Sequence, residues 1–510
     1  MAPQDATMYW LSGRTRNDLF LLYCFTDSGC PSADLRAFVG ERSARIADLR
    51  VRARSVPRDL DYPSWVPCEF TPDQFVEHVL PKPDWAHLQA ALGEVVDTGV
   101  DAAVRPWRLH VFRGITDAPA QEHTSPALVA VLQMSHALAD GRRAAEIARA
   151  LFAEADMEVG ATPEPMVGVP LTDRLPGARA LAALVARARS FGSRAVDAKS
   201  AGAEVAEFGP SATLGDSAAD LLRVPIGLAT SAPVDAVLAV PRMPIRLART
   251  AFRGYQAFRA QQELAGLTTA GRLPPPGPDF PPSLVNQAAV DADSAHQVRM
   301  IVCEAASLRV PERTVTVVVL TAVSLALARY LEERGGPVER LGAQVPMALS
   351  DTAMPNARNN YRSLSVDLCI DEPDLRLRAD KIAAAMADRR LRAQHPLLMA
   401  QDRVTAVVPA PMLRRDIARY PLDAVPDSIA GHTVVSSVHR GPANLTFGGR
   451  VCFTGGFPAI GSVMRLTHGV HGLGETVTIS LHADTATLPD LDVYAELLGA
   501  ALDEAAQSLK

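Results

Sequence analysis

Residues 19–25, LFLLYCF, run without a polar side chain, apart from the tyrosine hydroxyl, and 127–134, ALVAVLQM, are almost as apolar. Runs of this length and content suit strands buried on both faces. At 142–152, RRAAEIARALF, the apolar positions recur every three or four residues, which predicts a helix with one buried face. Helical spacing also marks 34–51, with Leu35, Phe38, Val39, Ile46 and Leu49 on one side, and 85–95. Strand-like runs at 75–80 and 108–113 complete an α/β pattern over residues 1 to about 160, with 108–113 and 127–134 read as a pair. From about 285 the alternation resumes, with strands at 296–304, 344–349 and 364–370 and helices at 315–331 and 374–387. Between these halves, proline clusters at 163–176 and 274–282 enclose Ala/Arg-rich helical stretches at 178–195 and 242–260. The pattern divides the chain into 1–160, a connecting region 161–284, and 285–510.

Composition narrows the partners. The 510 residues are 48% hydrophobic and 21% charged, with a formal net charge of -6, which argues against nucleic-acid binding. The six cysteines are scattered without a C-x-x-C pair, so neither a metal site nor a disulfide framework is expected. The first residues lack the basic-then-apolar layout of a secretory leader, and no run of 18 apolar residues occurs, so a cytoplasmic protein is expected. Arg242, Arg246, Arg249 and Arg253 recur at helical spacing. Such a face could lie on an anionic membrane, at the inner side of the bilayer, or be the solvated side of a connecting helix.

The stretch that carries chemistry is Ser135-His136-Ala137-Leu138-Ala139-Asp140-Gly141, between the strand at 127–134 and the helix at 142–152. His136 stands where a strand ends, facing a cleft, and a neutral imidazole there can take a proton from an attacking hydroxyl or amine. Asp140 stands near a helix N-cap and could fix the loop by pairing with an arginine. Gly141 allows a backbone conformation or close approach that a Cβ would block. Spacing alone fits equally a satisfied core histidine beside a helix cap.

This H-x-x-x-D-G motif resembles that of the HxxxDG acyltransferases, the superfamily of chloramphenicol acetyltransferase-like enzymes and condensation domains. The chain is most similar to bacterial wax ester synthase/diacylglycerol acyltransferases, as a divergent member. That family doubles the histidine where this chain has Ser135-His136. Further likeness lies in Arg105-Pro106-Trp107, in Pro281 to Asn286, in Val345-Pro346-Met347 followed by Asn359-Asn360, and in the turn Ser436-Ser437-Val438-His439-Arg440-Gly441-Pro442. The chain departs from the family at Thr314-Val315-Thr316-Val317, where an asparagine-aspartate pair is usual. The resemblance implies an α/β fold of two chloramphenicol acetyltransferase-like subdomains, a pseudo-dimer with a tunnel at their interface. It implies an O-acyltransferase with His136 as general base and Asp140 and Gly141 in structural roles. An acyl thioester, acyl-CoA or acyl-carrier protein, would donate to an alcohol or amine, a lipid or secondary-metabolite acceptor, with no bound cofactor and an ester product favoured. Ser135, Trp107, Asn360, Ser437 and His439 are candidate tunnel or substrate contacts. A catalytically silent binder of a lipid or carrier protein on the same fold is the alternative.

Other histidines offer less. His468 and His471 are three apart in what reads as a loop, without a third ligand, and His110 and His482 fall on strands. No G-x-S-x-G elbow, Walker loop or H-E-x-x-H motif occurs, which disfavours a serine acyl-enzyme.

Overall fold

The computed structural model describes residues 1–120, 125–154, 234–288, 295–350 and 356–510. In chain order the first half contains α1 (Pro3–Leu11), β1 (Leu19–Thr26), α2 (Ser32–Ser43), β2 (Val51–Arg54), β3 (Ser64–Pro67), β4 (Phe75–His78), α3 (Trp85–Val96), β5 (Trp107–Ile115), β6 (Ala127–Met134) and α4 (Gly141–Phe152). A long helix follows, α5 (Val234–Thr269), then β7 (His296–Glu304), α6 (Val315–Glu333), β8 (Gly342–Ala348) and β9 (Tyr361–Asp367). The chain ends through α7 (Leu375–Ala393), α8 (Met399–Thr405), α9 (Ala410–Arg419), β10 (Thr433–His439), β11 (Val451–Phe457), β12 (Leu466–Leu473), β13 (Thr476–Asp484) and α10 (Leu491–Leu509).

Two mixed sheets organise these elements, as an α/β fold requires. The first has the order β11-β1-β6-β5-β4 and the second β7-β13-β12-β10-β8-β9. β11 comes from the C-terminal half yet pairs antiparallel with β1, so the two halves share a sheet edge. Every residue of β6 is buried, and successive side chains serve opposite cores. Leu128, Ala130, Leu132 and Met134 meet α2 and α4. Val129 and Val131 instead join Leu88 and Leu92 of α3, and Val298 and Met300 of β7. That second cluster is the apolar seam between the sheets. α3 approaches β7 so closely that a Cβ on Gly93 would sit 2.4 Å from the His296 carbonyl oxygen.

Several boundaries differ from the sequence reading. The helix expected over 34–51 stops at Ser43, and the chain passes through a 3-10 turn into β2, which carries Ile46 and Leu49 into the core by loop geometry. β9 begins at Tyr361 and ends at Asp367, short of residue 370, because the Asp367 carboxylate accepts the Cys369 N–H and Cys369 turns to positive φ. The stretch around His468 and His471 is strand β12, not a loop. The helix expected at 178–195 lies outside the described residues, and that at 242–260 falls within the longer α5. α6 is long and apolar enough to cross a membrane, but Val317 to Leu327 are all buried against the second sheet, α7 and α10.

Candidate functional site

The site forms where the β6–α4 loop of the first sheet meets the β8–β9 loop of the second. Ser135 N–H donates to the Pro106 carbonyl (2.8 Å) and Leu138 N–H to the Ser135 carbonyl (2.9 Å), which folds 135–140 into a tight turn. Within that turn His136 alone is partly exposed; its five neighbours are buried. Its Nδ1 lies 2.7 Å from Asn359 Oδ1.

The neighbours of Asn359 fix which way that amide points. Its nitrogen donates to the His136 carbonyl (2.7 Å) and to Asp5 Oδ1 (3.2 Å), both pure acceptors. The amide oxygen therefore faces the ring, and Nδ1 must carry the proton. Nε2 is left with a lone pair and, among the described residues, no hydrogen-bond partner. Burial pushes the imidazole below the ordinary histidine range, against the opposing pull of its own backbone carbonyl, Asn359 and the Asp140 charge. The ring is thus neutral at neutral pH. This is the state a proton acceptor needs.

Asp140 caps α4, its Oδ1 accepting the Arg143 N–H at 2.9 Å, and its Oδ2 accepts the Asn360 N–H at 3.0 Å. The expected pairing with an arginine side chain is replaced by these two backbone amides. The Arg143 guanidinium binds Asp48 instead (2.8 and 2.9 Å), and Arg358 reaches the same carboxylate at 2.6 Å. These contacts rivet the β8–β9 loop to the first half of the chain. Both arginine contacts and burial act on Asp48, and the net result holds its carboxyl below the usual range. Gly141 keeps an ordinary φ, and a Cβ there would lie 3.9 Å from Val438 Cγ2, so no steric demand for glycine exists at that position.

The other sequence candidates separate. Trp107 is fully buried, stacked on Phe70, with its indole N–H given to the Leu49 carbonyl (3.0 Å), so it is a core residue. Ser135 is fully buried, its hydroxyl accepting the Ala137 N–H at 3.3 Å. Asn360 is buried, and its side-chain nitrogen donates to the Ser350 carbonyl, while its neighbour Asn359 is the one on His136. Ser437 accepts a hydrogen bond from Thr316 (2.9 Å), joining β10 to the first turn of α6, whose N-cap is Thr314. His439 is exposed at the end of β10, with Nδ1 accepting the Gly441 N–H. The turn that follows is braced by Arg149 of α4, which donates to the carbonyls of Arg440 and Pro442 around Gly441 at φ 86°.

Sequence reasoning missed Asp5, Asp48, Arg358 and Asn359. Asp5 sits in the first turn of α1, fully buried, and accepts the Arg358 N–H (2.9 Å), the Asn359 N–H (2.9 Å) and the Asn359 side chain. Nothing in local periodicity marks such a residue; a carboxylate in a first helical turn ordinarily signals only the helix dipole. A cavity of about 510 Å³ opens at the other end of α1, lined by Tyr9, Trp10, Arg16, Asp18 and Arg414 among others, and His136 is not part of its wall. Among the described residues no group of three or more His, Cys, Asp or Glu side chains could hold a metal ion.

Residues 1–220 match the sequence profile of the wax ester synthase/diacylglycerol acyltransferase catalytic domain. No curated protein sequence matches the chain. In three dimensions the chain is similar to the wax ester synthase/diacylglycerol acyltransferase from Marinobacter aquaeolei VT8, at 17% identity and a TM-score of 0.56, over 99% of this chain and 98% of that one. It is also similar to the starter condensation domain of rhizomide synthetase in complex with C8-CoA (11% identity, TM-score 0.51, 99% and 94% covered). The same domain with C8-CoA and Leu-SNAC gives 13% identity and a TM-score of 0.50, with 100% and 95% covered. These matches establish a shared two-sheet fold of the chloramphenicol acetyltransferase-like kind. Over residues 1–220 the chain is similar in sequence, and over nearly its whole length similar in fold, to the wax ester synthase/diacylglycerol acyltransferases.

Proposed function

We propose that the protein is an acyltransferase in which Nε2 of His136 is the general base. The observation that carries this reading is the 2.7 Å bond from Nδ1 to Asn359, which leaves Nε2 the only free lone pair on a neutral, partly exposed ring. The acceptor oxygen or nitrogen attacks the carbonyl carbon of an acyl thioester while Nε2 takes its proton. The resulting oxyanion collapses, the carbon–sulfur bond breaks, and Nε2 returns the proton to the departing thiolate. General-base assistance of this kind contributes ~10²–10⁴ in rate. Asp140 keeps the loop in place and takes no proton.

The donor class follows from the relatives. One bears the name of an ester-forming acyltransferase, and another holds C8-CoA. Acyl-CoA is therefore the first donor to offer, with an acyl-carrier protein as the second. An alcohol is the favoured acceptor and an ester the favoured product, with donor and acceptor entering from opposite sides of the contact between the two loops. Phe252, Tyr255 and Phe258 project from α5 beside Arg249 and Arg259, all five exposed, which supports peripheral contact with an anionic lipid surface at the inner face of the membrane. Arg246, by contrast, is held by Asp61 at 2.5 Å and serves to dock the helix.

The test uses the full chain with medium- and long-chain acyl-CoA against fatty alcohols, diacylglycerol, small alcohols and amines, reading free thiol and product mass. Turnover that is lost in His136→Ala supports the reading. No turnover with any thioester, together with tight retention of acyl-CoA or lipid, would instead establish a silent binding protein.

A further inference from the structure

We propose that Asp5 is a positioning residue that sets the tautomer of His136 through Asn359. The inference rests on His136 being the base, but its primary test does not. Asp5 is fully buried, no arginine or lysine side chain among the described residues hydrogen-bonds to it, and its oxygens are occupied by the backbone and side-chain N–H groups of residues 358 and 359. A carboxylate buried among amides is costly, and here burial pushes its pKa up against the pull of those N–H groups and the Arg358 charge. What the carboxylate supplies in return is direction.

The Asn359 amide has two orientations. In the one observed, its nitrogen faces Asp5 Oδ1 and the His136 carbonyl, and its oxygen faces Nδ1. Turned by 180°, the amide oxygen would stand 3.2 Å from Asp5 Oδ1 and 2.7 Å from the His136 carbonyl, three acceptors with no proton among them. Its nitrogen would then point a donor at Nδ1, which demands a lone pair there and moves the ring proton to Nε2. A histidine protonated on Nε2 cannot accept a proton on that atom. Asp5 supplies one of the two acceptors that forbid this flip, and it does so from α1, more than 350 residues away in sequence.

Full-length protein labelled with ¹⁵N-histidine decides the matter, with the His136 resonances assigned by comparison with His136→Gln. At neutral pH the two ring nitrogens of a neutral imidazole have well-separated shifts that identify the protonated one. The wild type is expected to carry its proton on Nδ1. Asp5→Ala, or Asp5→Ser should the alanine variant not fold, is expected to shift most of the population to Nε2–H. Asp5→Asn retains an oxygen at the Oδ1 position and is expected to recover the wild-type tautomer. In the transfer assay the alanine variant should lose roughly tenfold in kcat with KM unchanged, and the asparagine variant should regain most of it. A wild type protonated on Nε2 would overturn the proposal. So would a folded alanine or serine variant whose proton stays wholly on Nδ1. Should His136→Ala retain full transfer while the tautomer still follows Asp5, the general-base reading fails and the positioning claim stands.

Discussion

His136 and His468 are both imidazoles set in a sheet framework, and they have opposite fates. His468 lies inside β12, fully buried, with Nδ1 on the Thr433 hydroxyl (2.9 Å) and Nε2 on the Tyr494 hydroxyl (2.8 Å). Both nitrogens are spent, and burial pushes the pKa down to about 3. His136 lies one step past the end of β6, where only one nitrogen is spent and the other is left free. What sets His136 apart is that its unspent nitrogen belongs to a ring with part of its surface exposed. His471, three residues from His468, is also buried and lies beside the Arg440 charge, so these two histidines belong to the strand's packing.

The largest effect should come from removing the half-satisfied ring. His136→Ala is expected to lower kcat by ~10²–10⁴, with the unfolding free energy from denaturant titration little changed. The mirror experiment is His468→Leu, which fills the space but strands the Tyr494 hydroxyl in the core, while the Thr433 hydroxyl keeps its bond to the Leu466 carbonyl (2.7 Å). A buried unsatisfied group costs about 1–3 kcal/mol, so stability should fall by about that much while kcat of the folded protein holds. If the two variants exchanged these signatures, the contrast between the sites would be lost.

Acid sharpens the same contrast at smaller scale. His110 and His432 are pushed down to about 4 and His468 and His482 to about 3, all chiefly by burial. These rings stay neutral in the native state while the unfolded chain takes up protons below about 6.5. More protons bind the unfolded state, so stability must fall as pH drops from about 6.5 toward 4 and below, by up to about 1.4 kcal/mol per pH unit for each ring. His468→Leu should flatten this slope by one ring's share, and His136→Ala should flatten it as well, since that ring too is depressed. Activity separates them. The acid limb of kcat/KM should fall below the ordinary histidine range and survive unchanged in His468→Leu.

Most strands up to β9 and most helices were legible because burial repeats with the period of the element, whereas β12 read as a loop. β6 and β7 match the runs read from sequence, and α3 and α6 do so to within one or two residues. The motif was legible because its strand, loop and cap are contiguous. What could not be read was the far side of the site. Asp5, Asp48 and the adjacent pair Arg358-Asn359 come from three separate segments, and each is ordinary in its own surroundings. Asn360, a candidate substrate contact, and Asn359 are neighbours in an extended loop that project oppositely, Asn359 to the ring and Asn360 back to Ser350. Glycine at 141 was credited with a conformational role that its ordinary backbone does not require.

The smallest expected effect concerns Ser135, where the related acyltransferases carry a first histidine. Its side chain has no exposed surface and makes one long hydrogen bond, 3.3 Å, to an amide two residues on. A hydroxyl so placed can help the turn but cannot reach a substrate unless the turn opens. Ser135→Ala removes that bond and leaves the buried Ala137 N–H without it, a loss of about 1 kcal/mol because the bond is long, and kcat should stay within about twofold of wild type. Ser135→His is the harder trial. The larger ring must enter a fully buried position, so the cost should appear in stability, about 1–3 kcal/mol, rather than in the tautomer or acid limb of His136. A gain in kcat on restoring that histidine would mean that the neighbour shares in proton transfer, and that one half-satisfied ring is not enough.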